Sequence, residues 1–246
     1  MNKKIALLIT GGTIGMHTVA GESRIPDNSQ DYNAINDWND WYDSEDDKPS
    51  DVSIDSYVLC YKDSSSMGVK DWQLIIHKIH DLADKYDGFI VSHGTDTMAY
   101  SAAAVAYHFG KDLSFPIVFT GSCRSHDIPD TDAWRNLRDS VTAVCSDLGE
   151  VAIVFAGKVR RASRALKIFS ATDDIFTTPQ VEPVAEVHSG VLNIHSHCKR
   201  CTVDAPLPLN QSTFSDKLMF INSMPALDSS TLASIAQNSS WEIGLI

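Results

Sequence analysis

The first 156 residues alternate short apolar runs with longer segments of helical periodicity, and this alternation restricts the fold more than any other feature of the sequence. Residues 5–10 form an almost continuous apolar run, which is typical of a strand covered on both faces of a sheet. Residues 71–86 instead repeat apolar side chains at helical spacing. Strands that alternate with helices of this length predict an α/β fold, with a mostly parallel sheet flanked by helices.

The same pattern predicts the domain organisation. Further strands are expected at "GFIVS", "FPIVFT" and "EVAIVFA", and further helices at "MAYSAAAVAYHF" and residues 131–147. Periodicity then weakens, so we expect a first domain at residues 1–187 and a linker at residues 188–214. Residues 215–246 predict one βαβ unit, a truncated C-terminal α/β domain. Its strands are expected at "KLMFINSM" and "WEIGLI", and its helix is expected to be capped by Asp228.

Charge and composition narrow the function classes. The formal net charge is −12, which argues against nucleic acid and anionic membranes as partners, because both require clustered Lys and Arg. No run reaches the roughly 18 apolar residues of a membrane helix, and the N-terminus predicts a strand rather than a secretory signal. The five cysteines are an odd number and scattered, which favours a reducing cytoplasm.

Two segments of biased composition could suggest binding sites. Residues 31–51 are strongly acidic, and we expect a solvated loop attached to the body by Trp38, Trp41 and Tyr42, rather than a specific cation site. The segment "HSHCKRC" at residues 195–201 offers several metal-binding side chains. They crowd into one short stretch, whereas a structural zinc site normally uses two separated ligand pairs. We therefore predict no metal there.

Two predicted strands end in turns rich in polar residues. The first strand runs into Thr10, Gly11, Gly12 and Thr13, and "VSHGTDTMAY" at residues 91–100 leads from a strand into a helix. Ligands of open α/β sheets bind at such carboxyl ends of strands. A threonine beside exposed backbone N–H groups suits acyl transfer. Taken singly, however, each turn is also compatible with a plain strand–turn connection or with a helix cap.

Read together, the motifs resemble those of the bacterial-type L-asparaginases, most closely the cytoplasmic type I branch. The motifs are "TGGTIGM" at the first strand end, "DSSSM" before a helix that begins with "DW", "HGTDTMAY", and "TGS" at residues 120–122, in the family's order. The resemblance implies an asparaginase-like α/β fold. It also implies hydrolysis of L-asparagine to L-aspartate and ammonia, without metal or cofactor.

The resemblance also implies roles for individual residues. Thr13 matches the nucleophile, and Thr95, Asp96 and a later lysine match a proton-shuttling group. The family spacing assigns that lysine to Lys167 rather than Lys158. The residues that match substrate-binding positions are Gly12, Ser64, Ser65, Gly94, Thr95 and Asp96. Among these, Ser64 would hold the α-carboxylate and Asp96 the α-ammonium, and the N–H groups of Gly12 and Thr95 would form an oxyanion hole.

Several positions depart from the family pattern. Arg24 stands where the family's mobile loop has a tyrosine, and Ser66, Cys123 and Leu166 replace an acidic residue, a glutamine and a threonine. The second domain is also shorter than in the family. These departures leave two alternatives open: a catalytically impaired asparagine-binding or regulatory protein, and an amidohydrolase for glutamine or another small amide. The short C-terminal unit would leave open strand edges, so we expect a homodimer or higher homo-oligomer.

Overall fold

The computed structural model of the protein describes residues 2–19, 22–24, 51–169, 172–209, 214–215, 218–221, 228–237 and 242–245. The predicted acidic loop, with Trp38, Trp41 and Tyr42, lies outside these ranges. The chain divides into two compact units, Met1–Asn210 and Gln211–Ile246.

The first unit is built around one large sheet with helices between its strands. Its strands are β1 (Lys3–Gly11), β2 (His17–Val19), β3 (Glu22–Arg24), β4 (Val52–Lys62), β5 (Gly88–Ser92), β6 (Ile117–Thr120), β7 (Val151–Phe155), β8 (Lys158–Arg161), β9 (Leu166–Lys167), β10 (Phe176–Thr177), β11 (Ala185–His188) and β12 (Val191–Ile194). Its α-helices are α1 (Val69–Leu82), α2 (Met98–Phe109) and α3 (Ala133–Val144).

The sheet confirms the predicted fold class. Among the described residues it has eight strands in the order β12-β11-β8-β7-β6-β5-β1-β4. The pairs from β4 to β7 are parallel. The remaining pairs, from β7 through β8 and β11 to β12, are antiparallel. The sheet is therefore mostly parallel, with an antiparallel extension at one edge.

Burial explains why the central strands read as continuous apolar runs. Every residue of β5, β6 and β7 is buried, as are the residues of β1 from Ile5 onward. Helix α1 presents Ile75, Ile76 and Ile79 to the core. Helix α2 is rich in alanine and buries Ala99, Ala102 and Ala104, so that it can lie close to the sheet.

Helix α1 is shorter than its apolar periodicity predicts. It begins at Val69 and ends at Leu82 rather than continuing to residue 86. Tyr86 lies beyond the helix, and its hydroxyl contacts the hydroxyl of Tyr57 at 2.6 Å and donates to Asp55 Oδ2 at 2.8 Å. Tyr86, the last residue of the predicted helix, thus attaches the loop after α1 to strand β4.

The segment expected to be a linker differs from that expectation over much of its length. Residues 191–194 form β12, which pairs with β11. Further on, the N–H of Gly149 donates to Lys199 O at 2.9 Å and the N–H of Cys201 donates to Asp147 O at 2.8 Å. These backbone pairings make the segment part of the first unit. They could not be predicted from the periodicity of apolar side chains, because the hydrogen bonds join backbone groups.

The second unit contains one βαβ arrangement, as predicted. It consists of β13 (Leu218–Ile221), α4 (Ser229–Gln237) and β14 (Glu242–Leu245), and the two strands pair in parallel. Asp228 caps the helix by accepting from the Thr231 N–H at 2.9 Å and the Thr231 hydroxyl at 2.7 Å. Among the described residues of both units, no helix is long and apolar enough to span a membrane.

The carboxyl-terminal ends of β5 and β6 approach so closely that only glycine fits between them. Gly121 follows β6, and a Cβ atom there would lie 2.3 Å from the carbonyl oxygen of His93, which follows β5. The His93 N–H donates to Thr120 O at 2.9 Å, which fixes this spacing. The two strand ends therefore cannot separate to admit a side chain without losing that hydrogen bond.

We expect Gly121→Ala to lower the free energy of unfolding by roughly 2 kcal/mol or more, because the added methyl group meets backbone rather than a flexible side chain. Gly68→Ala is the matched control, since a Cβ at Gly68 has nothing within 4 Å. Its loss should stay within about 1 kcal/mol. Urea unfolding of both variants measures the difference, and equal losses would contradict the steric explanation.

Candidate active site

The two polar turns noted in the sequence lie side by side in the fold. Strands β1 and β5 are parallel neighbours in which Ile9 pairs with Ser92, so both chains leave the sheet at the same edge. A Cβ atom at Gly12 would lie only 2.4 Å from the backbone nitrogen of Gly94. Gly12 also has a positive φ of 86°, which favours glycine. Close backbone contact thus joins the turn that carries Thr13 to the turn that carries Thr95.

Thr13 begins a short 3₁₀ turn, Thr13–Gly15, directly after Gly12. Its carbonyl accepts from the Met16 N–H at 3.0 Å, and the Gly12 carbonyl accepts from the Gly15 N–H at 3.0 Å. The Thr13 side chain is half-buried. Backbone hydrogen bonds therefore fix the position of this residue without occupying its hydroxyl.

Lys167 lies against both polar residues of the second turn. Its ammonium donates to Thr95 Oγ1 at 2.8 Å and to Asp96 Oδ1 at 2.6 Å. The side chains of Lys167 and Asp96 are 32% and 60% exposed, and an ion pair this open adds little to stability. The same contact can transfer protons, because a lysine within hydrogen-bond distance of a threonine hydroxyl can take its proton as a neutral amine and return it as an ammonium.

Lys158, the other lysine in this part of the sequence, has a different partner. Its ammonium lies 2.8 Å from Asp174 Oδ2. Arg160 also donates to both oxygens of Asp174, at 2.6 and 2.9 Å. The structure thus brings Lys167 to Thr95 and Asp96 and places Lys158 in a separate ion-pair group. This arrangement agrees with the family spacing, while the catalytic role of Lys167 remains a prediction.

A small hairpin holds Lys167 in place. Strand β9 pairs with β10 through Lys167 and Phe176, and Ile168 N–H donates to Ile175 O at 2.8 Å. Arg124 forms a bidentate pair with Asp173, with N–O distances of 2.9 and 2.8 Å, next to this hairpin. The Arg124 guanidinium lowers the pKa of the Asp173 carboxyl. The sequence patterns did not indicate the partners that hold this segment, because the pairs connect residues far apart in the chain.

Ser64 lies under the Thr95–Thr97 turn. Its side chain is buried, and Ser64 Oγ accepts from the Asp96 N–H at 3.2 Å. The Thr97 hydroxyl donates to Ser64 O at 2.6 Å. Ser65 is exposed, and its N–H and hydroxyl donate to Asp63 Oδ1 at 2.8 and 2.7 Å. These bonds lower the pKa of the Asp63 carboxyl. The predicted substrate-binding residues Ser64, Gly94 and Asp96 are therefore neighbours, and Ser65 lies at the surface beside them.

Asp71 stabilises the other end of the same loop. Its carboxylate accepts from Lys62 Nζ at 2.5 Å and from the Gly68 N–H at 2.9 Å. Burial alone would raise the pKa of the Asp71 carboxyl, but these hydrogen bonds outweigh burial and hold that pKa below its ordinary value. Asp71 thus connects the end of β4, at Lys62, to the start of α1, and so holds both ends of the segment that carries Ser64. In the sequence it is visible only as the first residue of the "DW" pair.

His93 lies in the interior, although the sequence groups it with the polar residues of the turn. Its side chain is 0% exposed, and Nδ1 lies 2.7 Å from the carbonyl oxygen of Gly94. Burial is the main cause that lowers its pKa to about 4, and the hydrogen bond to the Gly94 carbonyl and the nearby Asp71 carboxylate only partly oppose this. His93 is therefore a neutral imidazole at physiological pH.

A cavity of about 800 Å³ adjoins Lys167, with Thr95 and Asp96 in its wall. Two of the departures from the family pattern, Cys123 and Leu166, line it as well. Although Cys123 is exposed at the surface, partial desolvation by its neighbours, assisted by the carboxylates of Asp132 and Asp173, raises the pKa of its thiol to about 11, so this thiol stays protonated near neutral pH. The remaining residues that line the cavity are Ala99, Tyr100, Ala103, Tyr107, Ala162, Ser163, Ala165, Ile168, Phe169 and Ile175. Thr13 and Ser64 are not part of this lining.

The other two departures, Ser66 and Arg24, lie in a 3₁₀ turn and in a short strand. Ser66 ends the 3₁₀ turn Ser64–Ser66. Arg24 ends strand β3, which pairs with β2 through His17. Ser66 is exposed and does not belong to the lining of the cavity beside Lys167.

The segment at residues 195–201 uses its polar side chains to bind backbone. His195 Nδ1 lies 2.7 Å from Pro183 O, and His197 Nε2 lies 3.4 Å from Glu182 O. Cys198 is buried. Across the described ranges, no group of three or more His, Cys, Asp or Glu side chains is arranged to hold a metal ion.

Comparison with known families agrees with this arrangement. A family model described as "Asparaginase, N-terminal" matches residues 4–200. The chain belongs to the asparaginase family.

Individual relatives of this asparaginase-family protein carry two kinds of name. One is a subunit of the glutamyl-tRNA(Gln) amidotransferase of Methanosphaera stadtmanae, 33% identical over 173 residues, which cover 67% of this chain and 39% of that protein. L-asparaginase 1 of Escherichia coli K12 is 31% identical over 194 residues, which cover 78% of this chain and 56% of that protein. The chain therefore spans less than two thirds of either relative.

Solved structures give the same fold. L-asparaginase I of Vibrio cholerae has a TM-score of 0.81 at 25% identity, over 95% of this chain and 68% of that one. The asparaginase-like fold predicted from the motifs is thus confirmed.

For the amide hydrolysis that the family motifs imply, we expect Lys167→Met to reduce ammonia release from L-asparagine by about 10² fold or more, because a thioether cannot move protons to or from Thr95. Lys158→Met is the matched control, since it removes a lysine that contacts Asp174 instead. It should leave turnover within a few fold of the parent. Steady-state ammonia release measures both, and a larger loss in Lys158→Met would show that the family spacing has been read out of register.

Proposed function

We propose that the protein hydrolyses L-asparagine to L-aspartate and ammonia, with Thr13 as the nucleophile. The observation that carries this proposal is the contact of Lys167 with both Thr95 and Asp96, at 2.8 and 2.6 Å. In its neutral amine form, Lys167 would be the base for the turn that carries Thr95, which backbone contact at Gly12 joins to the turn that carries Thr13. A threonine hydroxyl is a poor nucleophile on its own and needs such a nearby base.

The proposed reaction has two acyl-transfer steps. Thr13 Oγ attacks the side-chain amide carbon, its proton passes to Thr95 Oγ1, and the hydroxyl proton of Thr95 passes to Lys167, which accepts it as a neutral amine. The C–N bond then breaks and the departing nitrogen takes a proton, which releases ammonia and leaves an ester on Thr13. Water attacks this ester, and Thr13 regains its proton as aspartate leaves. The N–H groups of Gly12 and Thr95 are the proposed donors to the oxyanion of each tetrahedral intermediate.

Substrate recognition is proposed for Ser64, Ser65 and Asp96. A free amino acid carries an α-carboxylate and an α-ammonium, so it needs neutral donors for one group and an acidic acceptor for the other. The hydrogen bond from the Asp96 N–H to Ser64 Oγ places the two kinds of group next to each other. The hydroxyl hydrogen of Ser64 is not used in that bond, so it can donate to a carboxylate.

A related amide is the second candidate substrate. The relative from Methanosphaera stadtmanae is named as part of a glutamyl-tRNA(Gln) amidotransferase, and its identity to this chain is 33%, against 31% for the E. coli L-asparaginase. This similarity supports glutamine or another small amide as the alternative. The remaining alternative is a catalytically impaired asparagine-binding protein, which the replacement of the family tyrosine by Arg24 supports.

We expect Thr13→Ala to lower ammonia release by about 10³ fold or more, since the residual rate would come only from positioning of the amide and from oxyanion donors. Thr13→Ser is the matched control, because it keeps the hydroxyl and should retain most of the parent's activity. L-glutamine is assayed beside L-asparagine, and circular dichroism checks that both variants fold. Unchanged turnover in Thr13→Ala would remove Thr13 as the nucleophile, and a parent inactive on every amide would favour the impaired alternative.

The proposed steps use only side chains and backbone groups of the protein, without a cofactor. We place the reaction in the cytoplasm, which all five cysteines support by being free thiols. The partner is then a small amino-acid amide rather than nucleic acid or a membrane.

We further propose that the protein self-associates. Large apolar side chains are exposed around the cavity beside Lys167: Tyr100, Tyr107, Leu166, Ile168 and Phe169. Clusters of exposed apolar groups of this kind are typical of protein interfaces. A twofold dimer is the simplest assembly that would cover them.

We expect sedimentation across a concentration range to show a reversible dimer or higher oligomer, with specific activity falling on dilution. Tyr107→Glu should weaken this association, because it places a charge in the exposed apolar surface. His77→Glu, at an exposed position outside that surface, is the control and should leave the association unchanged. A monodisperse monomer with constant specific activity at every dilution would contradict self-association.

A further inference from the structure

His93 is the first residue after β5 and is held from two sides. Its N–H donates to Thr120 O at 2.9 Å, which ties it to the end of β6. Its ring Nδ1 lies 2.7 Å from the carbonyl oxygen of the next residue, Gly94. Its ring also packs near Phe119, with 6.1 Å between ring centroids. Both the backbone and the ring are therefore fixed in the core beside the proposed site.

The hydrogen-bonding partner decides which nitrogen of His93 carries the proton. A carbonyl oxygen can only accept, so Nδ1 must be the donor in its contact with Gly94. Nε2 then carries the lone pair, and it is buried without a hydrogen-bond partner among the described residues. The ring thus interacts with the turn through one group only, Nδ1–H.

The carbonyl that His93 binds belongs to the same peptide group as the N–H of Thr95. A trans peptide is planar, and its C=O and N–H point in opposite directions; the described chain has no cis peptide. With Gly94 O drawn towards the buried ring, the N–H of Thr95 must point away from it. Rotation of this peptide plane would break the hydrogen bond from His93 to Gly94 O. It would also change the direction in which the Thr95 N–H points.

Glycine at position 94 makes such a clamp necessary. A Cβ at Gly94 would lie 2.6 Å from Ser64 Oγ and 2.7 Å from Ser64 Cβ, so a larger residue here would clash with Ser64. Glycine restricts its own backbone rotation least of all residues. A hydrogen bond from a fixed ring supplies the restriction that the missing side chain cannot.

We infer that His93 is a positioning residue for amide hydrolysis, whose Nδ1–H clamps the Gly94–Thr95 peptide and so aims the Thr95 N–H at the reacting oxygen. This inference rests on the proposed function. His93 does not touch the substrate in this role; it acts through the peptide that it holds. The same clamp keeps Thr95 within reach of Lys167.

The test uses side chains that mimic one ring nitrogen at a time. In His93→Asn the amide nitrogen can occupy the place of Nδ1 and donate to Gly94 O, whereas in His93→Gln the amide lies nearer the place of Nε2. We expect kcat for L-asparagine to fall about 10² fold in His93→Gln and His93→Leu, with KM within a few fold, as for the loss of one oxyanion donor. The kcat of His93→Asn should be at least about tenfold higher than that of His93→Gln.

Unfolding free energies separate positioning from a purely structural role. All three variants remove ring atoms from the core and should be destabilised together, so a structural role would make kcat follow stability. Equal kcat in His93→Asn and His93→Gln, an unchanged kcat in His93→Leu, or a rise in KM alone would each overturn the inference.

A measurement without substrate keeps the inference distinguishable from the proposed function. Nitrogen-15 NMR of the parent should show His93 protonated at Nδ1 and not at Nε2 from pH 5.5 to 8. The amide resonance of Thr95 should shift more in His93→Gln than in His93→Asn. If the parent hydrolyses no amide but these signals are found, the proposed function fails and the clamp stands. If His93 carries its proton on Nε2, the clamp fails whatever the activity.

Discussion

The contact between neighbouring strand ends is the constraint on which the rest of the site depends. Strand β1 lies between β4 and β5, and a Cβ at Gly11 would lie 2.5 Å from Lys62 O, just as one at Gly12 would lie 2.4 Å from Gly94 N. Turns that follow adjacent parallel strands can meet only if their backbones touch, and here glycine allows them to. This contact brings residues more than 80 positions apart into one site, before any polar side chain takes part.

Polar side chains then connect that edge to the segments around it. Ser64 and Thr97 tie the loop after β4 to the turn after β5, and Lys167 reaches the same turn from a separate hairpin. The surface pair of Lys167 and Asp96 is too exposed to hold the hairpin by itself. Ion pairs of the neighbouring residues Asp173 and Asp174 with Arg124 and Arg160 supply further attachment. Stability and proton transfer are thus carried by different groups.

The sequence predicted what depends on local pattern or on family motifs. Apolar runs identified the buried strands, and the family spacing assigned Lys167 rather than Lys158 to the neighbourhood of Thr95. Pairings across long separations were not predictable in this way, and the ion pair of Arg124 with Asp173 is one case. The packing of residues 191–202 against the rest of the first unit is another, because it rests on backbone hydrogen bonds that leave no periodic pattern of apolar side chains. The burial of His93 was missed for a related reason: its motif fixes the residue but not the direction of its ring.

The positions that depart from the family pattern differ in kind from those that agree with it. Gly12, Gly94 and Ser64 lie where an added or different side chain would meet backbone or remove a bond that joins two elements. Leu166 and Cys123 are exposed and line the cavity beside Lys167 instead. The contacts that assemble the site therefore tolerate few replacements, whereas its outer wall can change composition without moving Thr95 or Lys167.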